Sequence, residues 1–336
     1  MREYSSGAVE APGHAGTPRI AAGQSITVTV PATTANLGPG FDALGMALGL
    51  RDTLRVRTTD GSGVRVAVTG EGASLLPNDE THLIARIMLE RWSELGVAPV
   101  GLEIEAENVI PHGRGLGSSA AAVVSALTAA DALLPASVRN ALDADAVFIG
   151  AARHEGHPDN VAPAVFGGLT LSLQEEGRIE SIPLDLDEAI VPVVAVPDVE
   201  LSTQRARGLL PASVPHALAA ANGARVGLLV KALAGSTQWL LSGTEDFLHQ
   251  GFRAEAMPHS AALIAGLRAH GLAAVVSGAG PTVLVLAAGA DEARRAAELV
   301  SGMDTSAAGP QGETTPVEWS VLMPGVDRAG AKLEVH

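Results

Sequence analysis

The sequence predicts an α+β protein of two domains, and three observations support this class. The chain has 336 residues, enough for two hydrophobic cores. Early strand-like segments alternate apolar and polar residues, which favours an antiparallel sheet. Later segments do not alternate strand and helix regularly enough for a doubly wound parallel sheet. We expect a disordered tail rich in Gly, Ala and Pro at 1–24, an N-terminal domain at 25–187 and a C-terminal domain at 188–336.

Local patterns predict the elements of the first domain in order. Residues 25–30 are β-branched and alternating, which indicates a strand, and turn formers follow them. Alternation in 54–58 and 64–69 around a glycine-containing turn predicts a β-hairpin or meander. Apolar residues on one face predict a helix that is capped by Asn78 or Asp79 and ends near Leu95.

The remaining elements are also read from periodicity and turn residues. A strand at 100–110 precedes a glycine-rich loop and a buried Ala/Val-rich helix at 118–134. Further helices are expected at 139–152, 215–234, 236–250 and 260–270, and further strands at 169–173, 190–196, 273–276 and 283–287.

Composition excludes several function classes. The formal charge of −15 and the absence of a Lys/Arg run argue against a nucleic-acid partner. No apolar run is long enough to span a bilayer, no secretory signal is evident and cysteine is absent, so we expect a cytoplasmic protein without membrane partners. His14, His216, His259 and His270 lack metal-ligand spacing among themselves and with nearby acids, so no zinc site is expected.

The glycine-rich loop carries the clearest chemical signal. Gly113, Gly115 and Gly117 alternate with other residues, which lets backbone N–H groups approach an anion at the start of a helix. The loop is not a Walker A motif, because no lysine follows it and the chain's two lysines are Lys231 and Lys332. The spacing also differs from the Rossmann fingerprint. The loop predicts a phosphate cradle, with a flexible strand-to-helix turn as the alternative.

Three segments resemble the signatures of the GHMP kinases, the superfamily that includes galactokinase, homoserine kinase and mevalonate kinase. They are VTVPATTANLGPGFDALGMAL at 28–48, PHGRGLGSSAAAVVSAL at 111–127 and SGAGPTVLVL at 277–286. The resemblance implies an N-terminal domain like domain 2 of ribosomal protein S5, a ferredoxin-like C-terminal domain, and the use of ATP and Mg²⁺. It also implies ATP contacts from Pro111, His112, Gly113, Arg114, Gly115, Leu116, Gly117, Ser118, Ser119, Ala120 and Ala121.

Four further segments resemble the homoserine kinases within this superfamily. They are NLGPGFD at 36–42, HEGHPDNVAPAVFGG at 154–168, LSTQRARGLLP at 201–211 and DFLHQGFRAEAMP at 246–258. The resemblance implies phosphorylation of the side-chain hydroxyl of L-homoserine to O-phospho-L-homoserine, in threonine biosynthesis. Alternatives are another small-molecule kinase of the superfamily or a non-catalytic paralogue that binds ligand. A homodimer is compatible with the sequence.

The same resemblance assigns roles at the phosphate end of the site. Ser119 and Glu155 would hold Mg²⁺, and together with Asn160 they form the expected catalytic set. Taken alone, Glu155 would be a solvated turn residue. An asparagine cannot take a proton, so catalysis would depend on positioning and electrostatics. His157 is either a general base or a hydrogen-bonding support for its loop.

At the acceptor end, the resemblance implies a site for a zwitterion. Asn36 and Asp42 would face the amino group, and Arg207 and Arg253 would hold the carboxylate. The expected substrate set is Asn36, Asp42, His157, Asn160, Thr203, Arg207 and Arg253. The alternatives without a role in binding are that Asp42 caps a helix and that each arginine is a surface charge. The adenine base is expected near 54–69.

Overall fold

The computed structural model describes residues 17–138, 143–303 and 317–336, and confirms the α+β class with two sheets and their helices. The strands are β1 (Ser25–Ala35), β2 (Leu44–Thr59), β3 (Val64–Gly70), β4 (Gly101–Asn108), β5 (Leu169–Glu175), β6 (Arg178–Leu184), β7 (Ile190–Pro197), β8 (Ala274–Val276), β9 (Val283–Ala288), β10 (Trp319–Leu322) and β11 (Lys332–Val335). The helices are α1 (Leu83–Glu94), α2 (Ser118–Ala132), α3 (Ala144–Glu155), α4 (Val161–Phe166), α5 (Thr203–Gly208), α6 (His216–Leu233), α7 (Leu240–Gly243), α8 (Gln250–Arg253), α9 (Pro258–Ala269) and α10 (Ala290–Gly302).

The first sheet has seven strands in the order β11-β1-β2-β4-β3, with β5 pairing with β2 and β6 pairing with β5. The predicted hairpin at 54–58 and 64–69 is wrong, because β4 lies between β2 and β3 and pairs in parallel with β3. Alternation fixes which face of a strand is buried but does not choose its neighbour. The neighbour of β3 is determined by α1, which carries the chain from β3 across to the parallel strand β4.

Two predicted helices begin or end elsewhere. α1 starts at Leu83 with His82 as its N-cap, because the Asp79 carboxylate accepts bonds from the Thr81 amide and hydroxyl and closes a turn instead. The helix expected at 236–250 is wrong: α7 ends at Gly243 and α8 begins at Gln250. In between, the Asp246 carboxylate accepts bonds from the backbone amides of Leu248, His249 and Gln250 and makes a tight turn. Strands β6, β10 and β11 and helices α4, α5 and α10 were not predicted.

The second sheet is antiparallel in the order β10-β7-β9-β8. Leu263 and Leu267 of α9 and Ala293 and Ala296 of α10 share a buried core with one face of this sheet. The chain then returns to the first sheet, since β11 pairs with β1 and Arg51 of β2 binds Asp327 at 2.6 Å. The range expected for the second domain therefore ends in the first sheet.

The chain start also differs from the expected tail. Residues 1–16 lie outside the described residues, but Ile20 is buried in the core and Arg19 bridges to Ala98. Residues 17–24 therefore belong to the folded first sheet and its helices. Part of the helix expected at 139–152 falls on residues 139–142, which are also outside the described ranges.

The two sheets meet at the glycine-rich loop. Gly278, in the turn between β8 and β9, donates to the Ala35 carbonyl at 3.1 Å. The Ser277 hydroxyl lies 2.8 Å from the Thr34 hydroxyl and 2.6 Å from the Gly115 carbonyl. This contact pins the third signature segment against the first two, so the site forms where the two sheets join.

Candidate active site

One cavity of about 290 Å³ gathers most of the residues that the sequence singles out. Its lining includes Asn36, Asp42, Pro111, Gly113, Arg114, Gly115, Leu116, Gly117, Ser118, Ser119, Ala120, Glu155, His157, Asn160, Thr203, Arg207 and Arg253. Of the other residues expected to contact ATP, His112 lines a neighbouring cavity and Ala121 is buried inside α2.

Gly117 shows why the loop needs glycine. It lies at φ +69° at the N-cap of α2, and a Cβ there would lie 1.9 Å from the Thr33 hydroxyl oxygen. A Cβ on Gly115 would lie 2.3 Å from the Ser277 carbonyl oxygen. No side chain caps α2, so the first N–H groups of this 15-residue helix are available for an anion.

Ser119 and Glu155 form an oxygen-rich pair beside the loop. The Ser119 hydroxyl, in the first turn of α2, donates a hydrogen bond of 2.7 Å to the carboxylate of Glu155, which lies at the end of α3. Two hard oxygen donors that line the cavity fit Mg²⁺, which binds one or two protein oxygens and completes its shell with phosphates and water. Within the described ranges, no group of three or more His, Asp and Glu residues forms a metal cage. Any Mg²⁺ here would need phosphate oxygens.

Asn160 is held by a residue that the sequence did not single out. The Thr33 hydroxyl of β1 donates to the Asn160 Oδ1 atom at 2.8 Å. Asn160 thus lines the cavity while its side-chain oxygen accepts a bond from β1. Thr33 lies inside the first signature segment, but only the fold brings it to Asn160.

His157 is tied to a second residue that was missed, Asp159. Its Nδ1 atom lies 2.8 Å from the Asp159 carboxylate, which is 2% exposed. Burial works to lower the pKa of His157, but the hydrogen bond and the attraction of Asp159 outweigh it and raise the pKa above its ordinary value. The imidazolium form is therefore favoured.

The end of the cavity that is expected to bind the acceptor contains a bidentate ion pair. Arg207 Nη2 and Nη1 donate to the Asp42 carboxylate at 2.7 and 3.0 Å, and this hydrogen bond raises the pKa of Arg207. Asn36 supports the turn, since its Nδ2 donates to the Gly278 carbonyl and its Oδ1 accepts from the Asp42 amide. Both polar ends of Asn36 thus bind protein, whereas the sequence suggested a contact with ligand.

Arg253 is a buried cation with a different environment. Its side chain is 1% exposed, its Nε donates to the Ala206 carbonyl at 3.2 Å and its Nη1 lies 3.2 Å from His249 Nδ1. Burial, with a further contribution from Arg207, lowers the pKa of Arg253. The Phe41 ring lies 5.4 Å from its Cζ atom and stacks on His249. His249 was missed, although it lies one helical turn before Arg253 in a quoted segment.

A second cavity of about 250 Å³ adjoins the first at Ser118 and Ser119. Apolar side chains of Leu54, Leu83 and Ala106 line it. Its wall also contains His82, whose Nε2 atom is buried without a hydrogen-bond partner. Of the region 54–69 expected near the nucleotide base, only Leu54 lines this cavity.

Comparison with known proteins decides the family. The profile of the GHMP kinases N terminal domain matches residues 82–168, and that of the GHMP kinases C terminal domain matches residues 219–302. A homoserine kinase of Streptomyces coelicolor is 51% identical over 91% of this chain and 94% of the relative. The chain is a GHMP kinase.

Other relatives of this GHMP kinase agree in sequence and in fold. A homoserine kinase of Clavibacter michiganensis is 46% identical over 94% of this chain and 96% of the relative. The crystal structure of homoserine kinase from Cytophaga hutchinsonii superposes with a TM-score of 0.79 at 27% identity, covering 92% of this chain and 97% of that chain. The mevalonate kinase of L. major shares the fold at a TM-score of 0.63 and 16% identity, covering 90% and 97%.

The helices of this GHMP kinase are short or carry charged residues. Over residues 17–138, 143–303 and 317–336, no helix combines the length and apolar character that a membrane crossing requires. The longest helix, α6, has 18 residues and carries Arg225 and Lys231.

Proposed function

We propose that this GHMP kinase transfers the γ-phosphoryl group of ATP to the side-chain hydroxyl of L-homoserine, giving O-phospho-L-homoserine and ADP in threonine biosynthesis. The observation that carries this proposal is one cavity with two chemically different ends. The glycine loop, Ser119 and Glu155 suit phosphates, and Asp42, Arg207 and Arg253 suit the ammonium and carboxylate of an amino acid. The relatives named homoserine kinase at 51% and 46% identity support the same substrate.

At the phosphate end, backbone N–H groups at the start of α2 bind phosphate oxygens without any lysine. Ser119 and Glu155 would hold Mg²⁺, which when bound neutralises charge on the phosphates. The position of Glu155 at the end of α3 puts its carboxylate beside the loop rather than among the phosphate-binding amides. The loop and the pair thus divide the work of binding a polyanion.

Asn160 and His157 act on the acceptor side of the transferred group. Because Thr33 engages its Oδ1, Asn160 donates through its amide nitrogen and orients the acceptor oxygen. The hydrogen bond with Asp159 raises the pKa of His157 above its ordinary value, and His157 holds its loop through that bond. Positioning and electrostatics are sufficient for phosphoryl transfer through a loose transition state.

The second cavity is the proposed site of the adenine base. It adjoins the glycine loop through Ser118 and Ser119, so a nucleotide with phosphates on the loop can extend into it. Its apolar lining suits the faces of a purine ring, and the unpartnered Nε2 of His82 can meet a ring nitrogen. Burial lowers the pKa of His82, which keeps this imidazole neutral.

A coupled assay of ADP release tests the function. With ATP, Mg²⁺ and L-homoserine, ADP should form at a rate that depends on homoserine, whereas mevalonate and galactose should give background rates. Turnover with mevalonate or a sugar but not with homoserine would overturn the substrate assignment. Tight binding of homoserine and ATP without ADP release would instead identify a non-catalytic paralogue.

Two further proposals concern the cell and the assembly. We propose that the enzyme acts in the cytoplasm, which a chain without cysteine and with both substrates drawn from metabolism fits well. We also propose a homodimer, which analytical ultracentrifugation of the purified protein would test.

A further inference from the structure

The charged groups of the acceptor end are already partly satisfied by one another. Asp42 and Arg207 form a bidentate pair inside the cavity, with their side chains 35% and 36% exposed. Arg253 differs, since no carboxylate of the described residues lies within ion-pair distance of it. Before any ligand binds, Arg253 lacks an anionic partner, and Asp42 is unavailable to a cation unless Arg207 leaves it.

This arrangement links the two charged groups of an amino acid. A ligand with only an ammonium must take Asp42 from Arg207, which leaves the Arg207 guanidinium without an anion. A ligand with only a carboxylate can reach Arg253, but it engages Arg207 only by leaving Asp42 unpaired. Removing one partner of a charge pair costs more than exchanging partners, because an unpaired charge is left in a partly desolvated site.

We propose that the Asp42–Arg207 pair is an internal stand-in for a zwitterion, so that the ammonium and the carboxylate of the substrate are recognised jointly. This inference rests on the proposed function, since it assigns the acceptor site to an amino acid. The substrate ammonium replaces Arg207 on Asp42, and the substrate carboxylate binds the released Arg207 together with Arg253. One ion pair is thus exchanged for two, and every charge is again paired.

Two features of the structure make the exchange feasible. The pair is partly exposed, so it can open, and the two ion pairs made by a zwitterion offset the cost of opening whereas a single new ion pair does not. The Phe41 ring contacts both guanidinium groups, with its centroid 5.7 Å from Arg207 Cζ and 5.4 Å from Arg253 Cζ. The Arg207 guanidinium therefore retains an aromatic contact while it changes its anionic partner.

The consequence is discrimination against compounds that share the reacting hydroxyl but lack one charge. 4-Hydroxybutyrate keeps the carboxylate and lacks the ammonium, whereas 3-aminobutan-1-ol keeps the ammonium and has a methyl group in place of the carboxylate. Each should bind poorly to the wild-type protein because the pair resists it. 4-Hydroxybutyrate should bind better when the Asp42 charge is removed, and 3-aminobutan-1-ol should bind better when the Arg207 charge is removed.

The test measures binding by titration calorimetry with ATP absent, using Asp42→Asn and Arg207→Gln. Asparagine tolerates the φ of +55° at position 42 and keeps the amide that donates to Asn36, so the turn is preserved. Asp42→Asn should weaken homoserine binding yet tighten 4-hydroxybutyrate binding by about threefold or more, the size expected for a partly exposed pair. Arg207→Gln should tighten 3-aminobutan-1-ol binding to a similar degree.

A matched control separates this effect from a general change in charge. Glu200→Gln removes one negative charge beside the same loop, where Glu200 lies 3.6 Å from Arg114, and leaves the pair intact. It should change 4-hydroxybutyrate affinity less than Asp42→Asn does. Equal gains in 4-hydroxybutyrate affinity for Asp42→Asn and Glu200→Gln would overturn joint recognition. So would the absence of any gain in affinity for either single-charge ligand. Homoserine turnover by the wild-type protein is scored separately, so failure of the proposed function is distinguishable.

Discussion

The two ends of the active cavity differ in the chemical groups that line them. The proposed phosphate end combines loop backbone at Gly113, Gly115 and Gly117, two of which have no room for a Cβ, with the Ser119–Glu155 pair. The proposed acceptor end consists of the side chains of Asp42, Arg207 and Arg253, which come from separate elements. The glycine loop is thus continuous in sequence, whereas the acceptor residues come together only when distant segments meet.

This difference predicts how each end responds to change. The phosphate end should fail abruptly, because a methyl group forces backbone to move and the reacting atoms with it. Substitutions at the acceptor end should lower activity gradually, because its two arginines bind the same carboxylate and either can be replaced alone. The following predictions test that contrast, from the largest expected effect to the smallest.

Gly117→Ala should have the largest effect. The new Cβ would strike the Thr33 hydroxyl in a left-handed conformation that alanine disfavours, so the start of α2 must shift. We expect kcat/KM for ATP to fall by roughly a hundredfold or more, measured by ADP release. Gly177→Ala is the matched control, because its φ is +76° but nothing lies near its Cβ, so activity should persist.

Glu155→Gln should lower kcat by about ten- to hundredfold and raise the Mg²⁺ concentration needed for half-maximal rate. The amide keeps the shape of the side chain but removes the charge next to Ser119. Glu180→Gln, on the exposed β6 strand beside Arg178, should change neither quantity. An unchanged Mg²⁺ dependence in Glu155→Gln would remove Glu155 from the metal site.

Arg253→Ala and Arg207→Ala should raise KM for homoserine by roughly tenfold, with little change in KM for ATP. The larger increase is expected for Arg253, because its charge has no internal carboxylate to satisfy it whereas Arg207 already binds Asp42. Initial rates with each substrate varied in turn measure both constants. Arg253→Lys keeps the buried charge and separates a folding defect from a binding defect. Equal changes for ATP and homoserine would contradict the assignment.

The smallest effect concerns pH and His157. The pKa of His157 is raised in the folded protein, so the pairing of its imidazolium with Asp159 stabilises the fold. This stabilisation is fully present at pH values below the ordinary pKa near 6.5. That contribution disappears as the pH rises through the folded pKa. His157→Gln should therefore lower Tm more at acidic than at alkaline pH, by on the order of 1–2 °C, as followed by circular dichroism. A Tm difference that grows with pH would contradict the proposed pairing.

Local sequence predicted the strand, glycine loop and α2 helix correctly, because glycine spacing and an Ala/Val run act within a few residues. It did not predict that β4 would separate β2 and β3, since alternation does not select a strand's neighbour. It also missed Thr33 and Asp159. These residues act through Asn160 and His157, and a threonine or aspartate in a polar segment carries no signal for such a partner.

The sequence by itself determined the α+β class and the family resemblance and predicted the phosphate cradle, because these depend on residue type and short spacing. Only the tertiary structure decided that Asp42 binds Arg207, that Arg253 is buried without a carboxylate, and that the last strand returns to β1. Charge pairing across 165 residues of chain depends on three-dimensional proximity. No local pattern encodes that proximity, since it follows from how both sheets pack around the loop.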